Sequence, residues 1–239
     1  MDFTLPPEIE DIRRRTRAFV DQHVLPAEAD RTAWDEHENI RLDRLDELRA
    51  RAREAGLWCP QLPKALGGMG LPHVGWAAMY EEANRSLFGP VTFNCAAPDD
   101  GNMNLLAKVG TPAQQAKWLM PIARGEARSA FAMTEPAPGG GSDPTMIRTR
   151  AERRGDAWVI TGRKWYITGA AEAAHFILVA RTSDHPRKGL TAFLFHRDQP
   201  GWEIARRIAI MGPEEHGGHC ELAFDGLVVG DENVLMGIG

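Results

Sequence analysis

Residues 129–151 read Ser-Ala-Phe-Ala-Met-Thr-Glu-Pro-Ala-Pro-Gly-Gly-Gly-Ser-Asp-Pro-Thr-Met-Ile-Arg-Thr-Arg-Ala, and residues 162–170 read Gly-Arg-Lys-Trp-Tyr-Ile-Thr-Gly-Ala. The first block starts as a short apolar run and breaks at Pro136, Pro138 and three consecutive glycines. Without context such a run is a mobile surface turn more often than a ligand cradle. A phosphate-binding loop of the Gly-Lys-Ser or Gly-Lys-Thr kind is disfavoured, because no such sequence follows the glycines. In the second block Tyr166 and Thr168 alternate with Trp165 and Ile167, which places the first two on one face of a strand.

Working outward, the period of the apolar residues changes near residue 126. Past Gly125, short segments rich in aromatic and branched residues follow one another: Trp158–Thr161, Trp165–Thr168, Phe176–Ala180, Leu190–Phe195 and Glu221–Phe224. Turn signals such as Gly155-Asp156 and Gly162-Arg163 separate them, so the segments read as strands of a β-barrel or of a sandwich-like, orthogonal sheet. Before Gly125 the spacing is helical. Ile9, Ile12, Thr16, Phe19 and Val20 make one stripe, and Leu42, Leu45, Leu48, Ala52 and Ala55 make a second that ends at Gly56. Pro60, Pro63, Gly67, Gly68 and Gly70 make residues 57–71 an ordered loop. Helical patterning returns at 73–87 and 99–109, and Thr111-Pro112 starts a further helix with a cap and a proline at its first position. The expectation is an α+β chain, with an all-α N-terminal domain at 1–126 and a β domain at 127–239.

Composition narrows the function classes. With 43% hydrophobic residues over 239 positions the chain can bury a sizeable core. The net charge is -5, with both signs interspersed, so no basic stripe marks a nucleic-acid site. No apolar run reaches the ~20 residues of a membrane-spanning helix, and the N-terminus lacks the pattern of a secretory leader. Cys59, Cys95 and Cys220 are few, odd in number and widely spaced, which favours free buried thiols and a reducing, cytoplasmic setting.

The two blocks, in this order and at this separation, resemble the flavin signatures of the acyl-CoA dehydrogenase family. The first is similar to that family's Met-Thr-Glu-Pro followed by a glycine loop and Ser-Asp, and the second to its Lys-Trp-Trp-Ile-Thr element. Similarity extends through the loop at Leu62-Pro63 to Gly67-Gly68 and the late run from Glu221-Leu-Ala-Phe-Asp to Asp231-Glu-Asn-Val-Leu. Asn94-Cys-Ala-Ala-Pro-Asp-Asp-Gly-Asn-Met resembles a motif of members that act on long or hydroxylated acyl-CoAs. The resemblance implies FAD as cofactor, an acyl-CoA thioester as substrate, an electron-transfer flavoprotein or similar acceptor, and a homo-oligomer. It also implies site residues. Phe131, Met133 and Thr134 would line the pyrimidine side of the flavin, and Ser142 would reach the pyrophosphate and the substrate. Tyr166 would flank the isoalloxazine, with Ile167 beside it, and the Thr168 hydroxyl would donate toward flavin N5. The ring would thus lie between two β-hairpin edges, one ending at Thr134 and one running through Tyr166 and Thr168.

Three departures qualify the resemblance. The stretch from Glu135 to Ser142 is about two residues longer than in many relatives. Tyr166 stands where tryptophan is common, a smaller ring with a polar tip. The sequence ends at Gly239, where relatives continue into a helical bundle that carries the catalytic base, a donor to the thioester carbonyl, further flavin contacts and most of the subunit interface. No catalytic residue is therefore expected among these 239, and the isolated polypeptide is expected to bind FAD weakly, to turn over slowly, and to associate with a partner chain or with itself.

Other assignments compete. Flavin monooxygenases and nitroalkane oxidases share the fold, and a non-catalytic scaffold would keep it through packing alone. His216 and His219 would need a third ligand to bind a metal, and no spacing offers one. Glu81 and Glu82 read as solvated helix charge or caps rather than a catalytic pair, and Asp99, Asp100 and Asn102 as the capped start of a helix.

Overall fold

The structure is a computed structural model that describes residues 4–141, 143–185, 188–211 and 217–239. It divides into two compact units, Met1–Asn104 and Leu105–Gly239.

The first unit is helical. Helix α1 (Pro7–Phe19) begins on a proline, whose missing N–H costs nothing in a first turn, and buries Ile9, Thr16 and Phe19. A π-helical turn at Val20–Val24 and α2 (Leu25–Ala29) continue it. Helix α3 (Leu42–Glu54) buries Leu45, Leu48 and Ala52 and stops before Gly56, where φ is +68°. Leu42, expected on that stripe, lies in the first turn and is exposed. Residues 57–71 form an irregular loop with a 3₁₀ turn at Lys64–Leu66. Helix α4 (His73–Ala83) is shorter than its apolar pattern, and the short α5 (Gly89–Thr92) follows. Phe19, Val20, Leu45, Met79, Phe88 and Phe93 belong to the core of this unit.

Helix α6 (Asp99–Val109) spans the point of division. Thr111 caps α7 (Pro112–Gln114) in a reciprocal box with Gln114, and a π turn leads into α8 (Met120–Ala123). Among the described residues eight strands follow: β1 (Ser129–Ala132), β2 (Arg150–Arg154), β3 (Ala157–Thr168), β4 (His175–Arg181), β5 (Leu190–His196), β6 (Trp202–Ile208), β7 (His219–Gly230) and β8 (Val234–Leu235). They form one mixed sheet in the order β6-β7-β3-β2-β4-β5-β8, with β1 parallel to β4 and off that path. The sheet is open and does not close into a barrel. Phe176, Phe193 and Phe195 are almost fully buried on it, a burial worth roughly 1.5–3 kcal/mol for each ring.

Two expectations about the strands are corrected. Gly162-Arg163 is not a turn: β3 runs through it with a register shift at Ile160/Thr161. A Cβ at Gly162 would lie 2.5 Å from Thr149 Oγ1, so a residue without one is needed for the strands to pass so closely. Nor does the edge ending at Thr134 belong to a hairpin, since β1 pairs in parallel with β4, far along the chain. Strands β2, β6 and β8 are unforeseen, and in β2 and β6 charged residues on an exposed side mask the alternation. No described helix is long and apolar enough to cross a membrane.

Candidate functional site

The two sequence blocks meet where β1 ends and β3 ends. The Trp165 N–H donates to the Thr134 carbonyl at 3.0 Å, and Lys164 Nζ donates to the Met133 carbonyl at 2.8 Å. Lys164 Nζ also pairs with Glu135 Oε1 at 2.8 Å, and both side chains are buried. Glu135 accepts two backbone N–H groups besides, from Arg148 at 2.7 Å and Thr149 at 2.9 Å. Its own N–H closes the glycine loop by donating to Gly140 at 2.7 Å. One buried carboxylate therefore holds together the exit of β1, the return toward β2 and the far half of β3. Burial pushes the Lys164 ammonium down to about 8, against the opposing pull of Glu135. Burial pushes Glu135 up, but the Lys164 charge and the donors around it prevail and its carboxyl is lowered.

Tyr166 sits at a register shift between Lys164 and Ile167, with φ +50°, and its side chain is thrown outward to 49% exposure. Left-handed backbone at a bulky residue is strained, and such strain concentrates at functional positions. Trp165 packs edge-on against it, ring centroids 5.1 Å apart. Ile167 returns to the core at 2% exposure, which leaves only its backbone for a ligand. Thr168 is half-buried, and its hydroxyl lies 3.0 Å from His219 Nδ1 across the β3–β7 ladder.

On β1, Ala130 and Ala132 face the core while Phe131, on the other face, stays half-buried, as do Met133 and Thr134. No hydrogen bond to another described residue ties the Thr134 hydroxyl. The structure thus brings Met133, Thr134, Tyr166, Ile167 and Thr168 to one junction, with Phe131 at its β1 side. Ser142 lies outside the described residues, as does His216. Beside the glycine loop, Arg148, Arg150 and Arg181 line a cavity of about 600 Å³ with Pro138, Thr145, Met146, Ile147 and Asp184.

Along β7, Glu221 accepts from Arg206 at 2.7 Å and from Arg163 at 2.9 Å. Those hydrogen bonds, Arg206 first, hold its carboxyl low. Sequence reasoning missed this triad, the Lys164–Glu135 pair and the contact of His219 with Thr168. The signal was present for one of them, since a lysine between strand residues bound for the core has to find a buried partner. Glu82, expected to be solvated, is instead buried beneath Arg17 at 2.9 Å and Arg13 at 3.5 Å, because α4 turns it toward α1. Asp100, the second residue of α6, accepts from the Gly101 N–H at 2.6 Å.

This arrangement matches a known class. The family profile "Acyl-CoA dehydrogenase, N-terminal domain" matches residues 6–126 and "Acyl-CoA dehydrogenase, middle domain" matches 130–227. The chain belongs to the acyl-CoA dehydrogenase family. Among its relatives, the Mycobacterium tuberculosis protein named "Probable acyl-CoA dehydrogenase FadE2" is 36% identical over 98% of this chain. A solved Mycobacterium abscessus structure assigned to the acyl-CoA dehydrogenases superposes with a TM-score of 0.89 at 34% identity, over 99% of this chain and 62% of that one. Butyryl-CoA dehydrogenase from Megasphaera elsdenii superposes with a TM-score of 0.79 at 26% identity, over all of this chain and 61% of that one. The chain spans 59% of the length of FadE2.

Proposed function

We propose that these residues form the flavin-facing part of an enzyme that removes two hydrogens from the α and β carbons of an acyl-CoA thioester. The observation that carries this reading is the bond from the Trp165 N–H to the Thr134 carbonyl, which sets the two blocks side by side with Tyr166 outward and the Thr168 hydroxyl half-exposed. The residues fit FAD. Half-buried hydroxyls at Thr134 and Thr168 suit the polar edge of a flavin, the exposed Tyr166 ring suits its flat face, and Arg148, in the cavity where Arg150 pairs with Asp184 and Arg181 with backbone carbonyls, suits a phosphate group. When bound, FAD supplies the two-electron acceptor for the hydride leaving the β carbon.

In this reading Thr134 and the backbone at Phe131 and Met133 hold the pyrimidine side, Tyr166 with Ile167 covers the ring, and Thr168 donates toward N5. Ser142 contacts the pyrophosphate or the thioester. The base that takes the α proton is assigned to residues outside those described. Support comes from the sheet carboxylates: Glu135 and Glu221 are both paired with cations and lowered, which makes them poor bases. An electron-transfer flavoprotein as acceptor and a homo-oligomeric assembly complete the proposal. Three free buried thiols suit a reducing, cytoplasmic setting.

Anaerobic mixing of the FAD-loaded protein with acyl-CoA tests the reading through bleaching of the oxidised flavin band. Bleaching by acyl-CoA that is slow with these residues alone and fast once the helical segment carrying the base is supplied supports it. Bleaching by a nitroalkane alone, or protein that binds no FAD, contradicts it.

A further inference from the structure

Thr168 and His219 are register partners, and backbone bonds beside them fix the facing: the Gly169 N–H donates to Gly218 at 2.7 Å and the Ala171 N–H to Gly217 at 3.0 Å. The Thr168 hydroxyl lies 3.0 Å from His219 Nδ1. A hydroxyl has one proton and two lone pairs, whereas a ring nitrogen is either a bare acceptor or an N–H donor. The contact therefore has two forms with opposite consequences. With Nδ1 bare, the Thr168 O–H is spent on the ring and has no proton left for a ligand. With Nδ1 carrying hydrogen, the ring donates into Oγ1 and the O–H turns outward.

We propose that His219 is a positioning residue that sets the direction of the Thr168 hydroxyl, and through it whether a bound flavin receives that hydrogen bond. This rests on the flavin reading above and deepens it. The two forms differ in whether Nδ1 carries a proton, so a measurement made as a function of pH distinguishes them.

The groups around the ring leave Thr168 as its partner among the described residues. On β7 itself Glu221 shares the face of His219, but Arg163 of β3 and Arg206 of β6 already occupy both its oxygens. Ile208 of β6 stands opposite His219, and Arg207 stands opposite Cys220. Cys220 is buried, its thiol donating to the Gly217 carbonyl at 3.7 Å. Glu172 lies in the turn after β3, its N–H on the Gly169 carbonyl at 3.2 Å.

The test is the reduction potential of bound FAD against pH, measured by dye equilibration in the wild type, His219→Asn, His219→Leu and Thr168→Val. The wild type is expected to depart from the flavin's own pH slope, changing the ratio of reduced to oxidised flavin about tenfold at fixed poise, the worth of roughly one hydrogen bond. Asparagine bonds Thr168 without titrating and leucine cannot bond it, so both variants lose the departure. In the Thr168→Val background, changing His219 to Leu is expected to have no further effect. The FAD dissociation constant, followed by fluorescence, gives a second readout and is expected to share the same pH break. FAD-loaded His219→Leu that keeps the departure, or an effect of His219→Leu that persists with Val at 168, overturns the assignment and leaves the flavin reading intact. Wild-type protein that binds no FAD overturns both.

Discussion

Strand β3 divides into two halves that are built on different principles. Over residues 157–162 it follows the rule for a buried sheet: Trp158 and Ile160 enter the core, and every residue from 157 to 161 pairs with β2 in unbroken register. Over residues 163–168 the rule fails. The core-facing position belongs to a lysine, the next turn of the pleat is a strained Tyr166, and the register with β7, already shifted once at Ile160/Thr161, slips again. The first half is held by apolar contact, which is non-directional and tolerant. The second is held by a buried ion pair and single hydrogen bonds, which are directional. That is the half on which the proposed cofactor residues Tyr166, Ile167 and Thr168 lie, and a site needs fixed directions more than it needs burial.

The comparison breaks most readily at Lys164. Replacing it with Met leaves Glu135 buried and unpaired, and the stability measured by urea unfolding is expected to fall by about 3–5 kcal/mol. The double variant Lys164→Met with Glu135→Gln is expected to recover a large part of that loss, since no charge is then stranded.

Next in size is a pH effect confined to the same half. Folded Lys164 gives up its proton at about 8, whereas the unfolded side chain does so at 10.5. Between those values the unfolded state binds more protons, so this residue's contribution rises with pH across the window, by up to ~3 kcal/mol. The difference in stability between wild type and Lys164→Met, followed from pH 7 to 10, is expected to change in the wild type's favour; a flat difference counts against the buried ammonium.

In the first half the expected effects are smaller and silent toward the cofactor. Ile160→Val is expected to cost ~1 kcal/mol of stability and leave FAD affinity unchanged. Tyr166→Gly is expected to do the reverse. It relieves left-handed backbone at the cost of a freer unfolded chain, so stability shifts by less than ~1 kcal/mol, while FAD affinity weakens about tenfold.

The same contrast explains what could be read from the sequence. The helical stripe at Ile9, Thr16 and Phe19 and the strands around Trp158 and Phe176 were legible, because burial leaves a period in the chain. Gly162 was misread as a turn since a glycine marks close approach as often as reversal, and only the position of Thr149 tells which. The parallel pairing of β1 with β4 leaves no local trace, being a contact between segments some 45 residues apart. Within the site, the two blocks announced themselves, but the partners that hold them did not. Glu135 and Lys164 are 29 positions apart, and Thr168 and His219 are 51 apart, so nothing in the spacing links them.

The most direct test of the central claim, that the exit of β1 and the end of β3 form one flavin site, is a fluorescence titration of the apo-protein with FAD. The account predicts one FAD per chain, with affinity reduced by substitution at Thr134, Tyr166 or Thr168 and unaffected by Ile160→Val. Absence of binding, or binding indifferent to all three site substitutions, would contradict it.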